Sequence, residues 1–217
     1  MLSNNLKIKM NNLPIKVGIT GGMGSGKSHI SRIFEDLGYR VFDCDTEAKY
    51  IMTHNDEVIN EIFNVVGSDS YYKNFDSYNN VVWKLNKPAL SKFLFHDKIN
   101  ATKINTIVHP PLAVHFNEWA NKIDDKIVFV ESAILFESGF NKLVDMILFV
   151  YADENMRVNR CVKRDGTSKE DVLRRIRIQE QQDKLIEYSD YIIYNNNNSD
   201  LGGQVNGFFK YVSKSFL

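Results

Sequence analysis

Cysteine is scarce: only Cys44 and Cys161 occur in 217 residues, at neither a metal-binding nor a redox spacing. That excludes a cysteine-held metal or a Cys-x-x-Cys redox pair and points to a reducing compartment. Excess charge is also lacking. Lysine plus arginine and aspartate plus glutamate both number 27, so no global basic field invites nucleic acid. No apolar stretch approaches the ~18 residues of a membrane span. Internal repeats are absent, and so is the N-K-x-D element that reads guanine in GTPase switches. The nearest match, Asn141-Lys142-Leu143-Val144-Asp145, has its acid one position late. The first residues, Met1 to Asn12, are polar and Asn-rich, without the apolar core of a signal peptide. Residues 1–13 are therefore expected to be a disordered leader and the chain cytoplasmic, with no membrane association. Apolar content of 43% and charged content of 25% suit an ordinary soluble globular chain. Its length suits one domain with room for an inserted subdomain.

What the chain does have is a glycine-rich loop. Gly21 to Ser28 matches G-x-x-x-x-G-K-[ST], a phosphate-binding pattern. Ile15 to Ile19, before it, reads as a buried parallel strand. After it, Ile30, Ile33, Phe34 and Leu37 recur at helical spacing and Gly38 supplies a stop. In that setting the backbone N–H groups of the loop (Gly22, Gly24, Ser25, Gly26) and of the helix start converge on phosphate oxygens. Lys27 reaches the β- and γ-phosphates, and the Ser28 hydroxyl is a Mg²⁺ ligand. A chance glycine turn is the plainer alternative, and the strand and helix on either side argue against it.

Five β-type runs punctuate the chain: Ile15–Thr20, Arg40–Cys44, Ile127–Glu131, Met146–Tyr151 and Asp190–Tyr194. Helical or mixed stretches separate them, which predicts an α/β fold with a parallel sheet. The interval 47–122 is too long for a simple crossover and is rich in aromatics. It is expected to be an inserted, mainly helical subdomain within a single domain spanning 14–217, with most of its aromatics in core packing. Further on, eight basic residues against three acidic ones lie between Arg157 and Arg177. Arg157, Arg160 and Arg164 share one helical face. Asp165-Gly166-Thr167 ends that helix, and Ser168-x-x-Asp171 resembles a capping box opening the next, where Arg175 and Gln179 share a face. A solvated basic hairpin is one reading. Beside a phosphate loop the other is a lid, 155–182, that closes over ATP, neutralises charge and excludes water.

Three acidic positions and a histidine are placed for chemistry. Asp43-Cys44-Asp45 closes the second strand, and strand ends of open α/β sheets face the ligand crevice. Asp45 is a candidate base for an acceptor hydroxyl, or alternatively a helix N-cap before Thr46–Tyr50. Glu131 ends the third strand, where a carboxylate tunes Mg²⁺ through water. Glu137 follows shortly. His109-Pro110-Pro111 reads as a stiff turn presenting an imidazole, or as a packing histidine.

The order of these elements resembles the dephospho-coenzyme A kinase family from about Ile15 to Asn196. Ile19–Ser28 matches its ITGG-x-GSGKS loop, and Asp43, Asp45, Ala48 and Lys49 match its D-x-D and A-[RK] elements. Leu90–Asp97 and Ile107–Pro110 match L-x-x-x-x-F-x-D and I-x-H-P. Glu131–Glu137 stands for D-x-P-L-L-F-E, Arg160–Gly166 for R-x-x-x-R-D-G and Arg175–Gln179 for R-x-x-x-Q. Ser189–Asn195 stands for A-D-x-x-I-x-N. The resemblance implies a P-loop kinase fold, with a five-stranded parallel sheet of order 2-3-1-4-5 flanked by helices, a helical acceptor-binding insert and an Arg-rich lid. It implies transfer of the ATP γ-phosphate to the ribose 3′-hydroxyl of dephospho-coenzyme A, with Mg²⁺, by a monomer or weak homo-oligomer. It assigns Asp45 as base and Lys27 as electrophilic stabiliser, with Ser28 on the metal and Thr20 near the acceptor. Arg160, Arg164 and Arg175 would line the lid, with Asn195 near adenine. Lys49, Lys87, His109, Phe136 and Glu137 fall on the acceptor side.

The chain departs from the family pattern in places. Glu131 stands where Asp is usual, Ser132-Ala133 replaces an x-Pro pair, and Lys49 and Lys87 stand where Arg is commoner. A Pro-Gly element is missing near Thr53–Asp56. The residues leave other readings open: a kinase for a nucleoside or sugar hydroxyl, a nucleotide switch, or a module that only binds nucleotide. The missing N-K-x-D element argues against the switch. Intact Lys27, Ser28 and Asp45 with the arginine run argue against simple binding.

Overall fold

The apolar runs of the sequence become the strands of one sheet, and the three central ones are buried on both faces, as parallel strands between helices must be. A computed structural model describes residues 13–178 and 184–216. Strands β1 (Ile15–Thr20), β2 (Arg40–Asp43), β5 (Ile127–Glu131), β6 (Met146–Tyr151) and β7 (Tyr191–Tyr194) form a parallel sheet of order β2-β5-β1-β6-β7. Counting those five strands alone along the chain, the order is the expected 2-3-1-4-5. Val17 pairs with Phe129 on one side and with Met146 on the other. Val17, Ile19, Phe129, Leu148, Val150 and Ile193 are wholly buried.

The strand limits shift at two ends for identifiable reasons. Cys44 leaves β2 to begin a helix capped by Asp43. Asp190 precedes β7 rather than joining it, and its carboxylate accepts the Ile147 N–H at 2.7 Å. Asp145 does the same for the Lys16 N–H at 2.7 Å, so two strand starts are tied by carboxylates from neighbouring connections. Helices α1 (Lys27–Asp36) and α8 (Leu201–Phe216) supply the apolar cover. Phe34 stacks on Phe129 with centroids 4.1 Å apart, and Phe208 packs against both rings. Each such pair adds ~0.5–1.5 kcal/mol beyond area burial. Among the described residues no helix is long and apolar enough to cross a membrane.

The chain divides into two compact units, Met1–Phe42 with Ala120–Leu217, and Asp43–Trp119. The first, across its described residues, holds the sheet and also α6 (Glu154–Asp165) and α7 (Lys169–Ile178). The second contains α2 (Cys44–His54), α3 (Asp56–Val66), α4 (Lys87–His96) and most of α5 (Lys98–Asn121). It also contains an antiparallel hairpin that the reading of a mainly helical insert did not anticipate. Its strands are β3 (Tyr71–Phe75) and β4 (Val81–Leu85). Asp76 builds the turn, its Oδ1 accepting the N–H groups of Tyr78 and Asn80 at 2.9 and 2.8 Å. Phe63, Tyr71 and Trp83 pack together as expected of core aromatics. Tyr72, Phe75 and Tyr78 do not: all three are exposed.

One further expectation is corrected. His109-Pro110-Pro111 is not a turn but lies inside α5, whose buried stripe Ile104, Val108, Leu112 and Phe116 recurs every fourth residue. Burial of that stripe outweighs the backbone hydrogen bonds two prolines remove. Where the Pro-Gly element is missing, Asn55 serves both helices. It ends α2 through its N–H to Ile51 O, and its side chain caps α3 by accepting Val58 N–H at 3.1 Å.

Candidate active site

In the sheet unit, the carboxyl end of β1 runs through Thr20, nearly buried, into the loop 21–26 and then α1. Gly26 precedes the helix, offers no side-chain cap, and the first helical turn holds no acidic residue. The leading N–H groups are thus left to an anion, with no acidic side chain of the helix itself competing for them. Lys27 folds back over the loop, its Nζ donating to Gly21 O at 3.0 Å and Gly22 O at 3.3 Å. A bound phosphate offers that ammonium a stronger, charged acceptor than these carbonyls.

Glu131, at the end of β5 and in register with Ile19, turns its carboxylate onto the start of α1. It accepts Ser28 Oγ at 2.8 Å and Ser31 Oγ at 2.6 Å. Sequence reasoning named Ser28 and Glu131 but missed Ser31. The signal was available, because Ser31 follows Ser28 by three residues and shares its helix face. Ser25 Oγ is fully buried and has no hydrogen-bond partner among the described residues.

The arginine run divides by function of place. Arg157 is 5% exposed, and its carbonyl lies against Gly24. Arg160 turns its guanidinium onto the loop, donating to Gly24 O at 3.4 Å, Ser25 O at 3.3 Å and Asn195 O at 2.9 Å. Asn195 is itself 6% exposed and donates Nδ2–H to Ser25 O at 2.8 Å, while its own N–H goes to Tyr151 O at 2.7 Å. Arg164 instead forms a forked pair with Asp165, at 2.6 and 3.1 Å, and Arg175 approaches the same carboxylate at 3.8 Å. The Arg164 hydrogen bond holds the Asp165 carboxyl below its usual range.

The helix break and the capping box form as read. Gly166 closes α6, and Ser168 Oγ accepts the Asp171 N–H at 3.1 Å. Val158, Cys161, Val172 and Ile176 weld the two helices together. Burial raises the Cys161 thiol above its usual pKa. Gln179, the far end of the 155–182 segment and the leader to Asn12 lie outside the described residues. Phe136, half-buried, meets Tyr188 edge-on at 6.4 Å, and Glu137 is exposed.

In the second unit, Asp43 and not Asp45 is the helix cap. Its Oδ1 accepts Asp45 N–H at 3.0 Å and its Oδ2 accepts Thr46 Oγ1 at 2.7 Å. Asp45 sits exposed in the first turn, and its carboxylate has no partner among the described residues. Lys49, also exposed, follows one turn later on the same face. Lys87 opens α4, exposed, and half-buried His109 lies on α5, where burial holds its imidazole below the usual pKa. Sequence reasoning missed a cavity of about 660 Å³ in this unit, lined among others by Tyr50, Ile51, Val58, Pro110 and Val114. At its edge His115 Nε2 meets Glu47 at 2.9 Å.

Comparison with known proteins bears on this arrangement. The family model described as CoaE, Dephospho-CoA kinase, matches residues 15–200. A Dephospho-CoA kinase of Bacteroides fragilis is 37% identical over 194 residues, covering 89% of this chain and 90% of that one. A crystal structure of TT1252 from Thermus thermophilus superposes with a TM-score of 0.74 at 25% identity, over 94% of this chain and all of that one. The Dephospho-CoA kinase from Campylobacter jejuni shares the fold, with a TM-score of 0.66 at 22% identity over 93% of this chain and 98% of that one.

Proposed function

The chain belongs to the dephospho-CoA kinase family, and on that premise we propose that it phosphorylates the ribose 3′-hydroxyl of dephospho-coenzyme A with ATP, yielding coenzyme A and ADP. The observation that carries the nucleotide half is the start of α1 behind an intact loop, without a side-chain cap or an acid in its own first turn, with Lys27 poised over it. Phosphoryl transfer needs little covalent help from the protein, so positioning and charge stabilisation dominate. Lys27 draws off charge that develops on the γ-phosphate. Asp45 takes the proton of the attacking hydroxyl, a role for which its exposed, unengaged carboxylate suits it. Lys49, Lys87, His109, Phe136 and Glu137 serve the acceptor, with Thr20 beside it. Arg164 and Arg175, sharing one carboxylate, form the outer part of a lid whose inner part is Arg160.

Mg²⁺ fits the residues present. Ser28 and Glu131 offer hydroxyl and carboxylate oxygens only, and no cluster of three or more His, Cys, Asp or Glu exists among the described residues. That is the donor set of an ion held by one or two protein oxygens, water and substrate phosphates. When bound, the ion neutralises charge on the β- and γ-oxygens. Glu131, longer than the usual Asp, holds Ser28 and Ser31 in place for it. The scarcity of cysteine, two in 217 residues, supports a cytoplasmic setting, with the protein working as a monomer or weak homo-oligomer.

The test is a coupled ADP-release assay with ATP and Mg²⁺, comparing dephospho-coenzyme A with adenosine, other nucleosides and gluconate. Turnover on dephospho-coenzyme A alone, with phosphate on the 3′-hydroxyl, is expected. Turnover confined to another acceptor would transfer the proposal to that substrate, and none at all would leave only nucleotide binding.

A further inference from the structure

We infer that Asn195 is a positioning residue for the phosphate loop: its buried amide, with Arg160, sets the orientation of the Ser25–Gly26 peptide and through it the affinity for the triphosphate rather than for the base. The inference rests on the loop being the ATP site, and it concerns how that loop is held in shape.

A glycine-rich loop binds phosphate through backbone N–H groups, yet glycine gives the backbone no preference for one peptide orientation. Something outside the loop must supply it. Here Ser25 O accepts from Asn195 Nδ2 at 2.8 Å and from Arg160 at 3.3 Å, so both bonds pull the carbonyl toward β7 and α6. In a trans peptide the C=O and the following N–H point in opposite directions, and no cis bond occurs among the described residues. Anchoring Ser25 O on that side therefore turns the Gly26 N–H to the other.

Asn195 is itself pinned. Its N–H is held by Tyr151 O at 2.7 Å and its carbonyl by Arg160 at 2.9 Å, so the brace transmits the rigidity of two sheet strands to the loop. The approach is tight: a Cβ on Gly26 would collide with Asn195 Nδ2, the atom that holds Ser25 O. With 6% of its surface exposed and its amide committed to the loop, Asn195 is built as a support beneath the phosphates.

Binding of ATP, inorganic tripolyphosphate and adenosine is measured calorimetrically for wild type and Asn195→Ala, without acceptor. Loss of one buried hydrogen bond predicts that ATP and tripolyphosphate both weaken by about tenfold, while adenosine is unchanged. ATP weakened with tripolyphosphate unaffected would assign Asn195 to the base and overturn the inference; so would unchanged affinity for all three. Thermal unfolding checks the fold. If the alanine variant does not fold, Asn195→Ser decides by the same comparison, because its hydroxyl keeps the site polar but is one bond too short to reach Ser25 O. Wild-type ATP binding is the control: its absence would count against the nucleotide reading itself, whereas its presence with variants that match wild type would sink only this one.

Discussion

The packing of the phosphate loop on α6 yields a quantitative prediction from two glycines. Gly24 has φ +77°, and a Cβ there would lie 2.5 Å from the Arg157 carbonyl oxygen and 2.9 Å from Cys161 Sγ. Gly166 has φ +61°, with nothing within 4 Å of its Cβ position. Replacing either by alanine places a side chain in the left-handed region, at a cost of ~1–2 kcal/mol. Only Gly24→Ala also collides, and its nearest neighbour is backbone, which has no rotamer to escape into. Overpacking of that kind adds ~1–3 kcal/mol. For a chain of this size each kcal/mol is worth ~2–4 °C in Tm. Gly166→Ala should therefore lose ~2–8 °C and keep ATP binding. Gly24→Ala should lose a further ~2–12 °C and bind ATP poorly, since the loop must move off α6. Thermal unfolding followed by circular dichroism, with ATP titrations, measures both. Equal losses of Tm with ATP affinity intact in both variants would refute the claim that loop and helix are in hard contact.

Two other outcomes separate roles that the sequence alone left mixed. Asp45→Asn should lower kcat at least ~10²-fold without changing Tm, because the cap belongs to Asp43. Asp43→Ala should instead cost ~1 kcal/mol of stability, and near-normal turnover of Asp45→Asn would remove it as the base. For His109, burial lowers the folded-state pKa, so the unfolded chain binds the proton more readily. Its contribution is fully present above about pH 6.5 and is lost as pH falls through the lower folded value. Denaturant melts should show His109→Asn flattening that acid-side decline, and an unchanged slope would contradict the burial argument.

The elements legible in the sequence were those decided by short-range pattern. All five sheet strands were read to within a residue at each end, because an apolar run bounded by loop residues has few other uses in an α/β chain. The hairpin Tyr71–Leu85 escaped because neither strand alternates cleanly and three of its aromatics face solvent. His109-Pro110-Pro111 misled for the opposite reason: proline is a strong local signal, and the apolar stripe that overrode it acts only once α5 is packed. Asp43 and Asp45 could not be told apart by residue type, since either can cap, and only the start of α2 at Cys44 assigned the task.

By itself the sequence determined the loop, the strand before it and the helix after it, since phosphate binding by backbone is a local property of glycine spacing. It determined too that a basic helical pair would follow β6, broken at Gly166 and reopened at Ser168. Only the tertiary structure decided what those arginines do. Helical periodicity says which side chains share a face, not what the face meets. Arg160 reaches loop carbonyls 135 and 136 positions away, whereas Arg164, one turn on, closes on its neighbour Asp165. Asn195, 170 residues from Ser25, became part of the loop only when β7 took its place at the sheet edge beside β6.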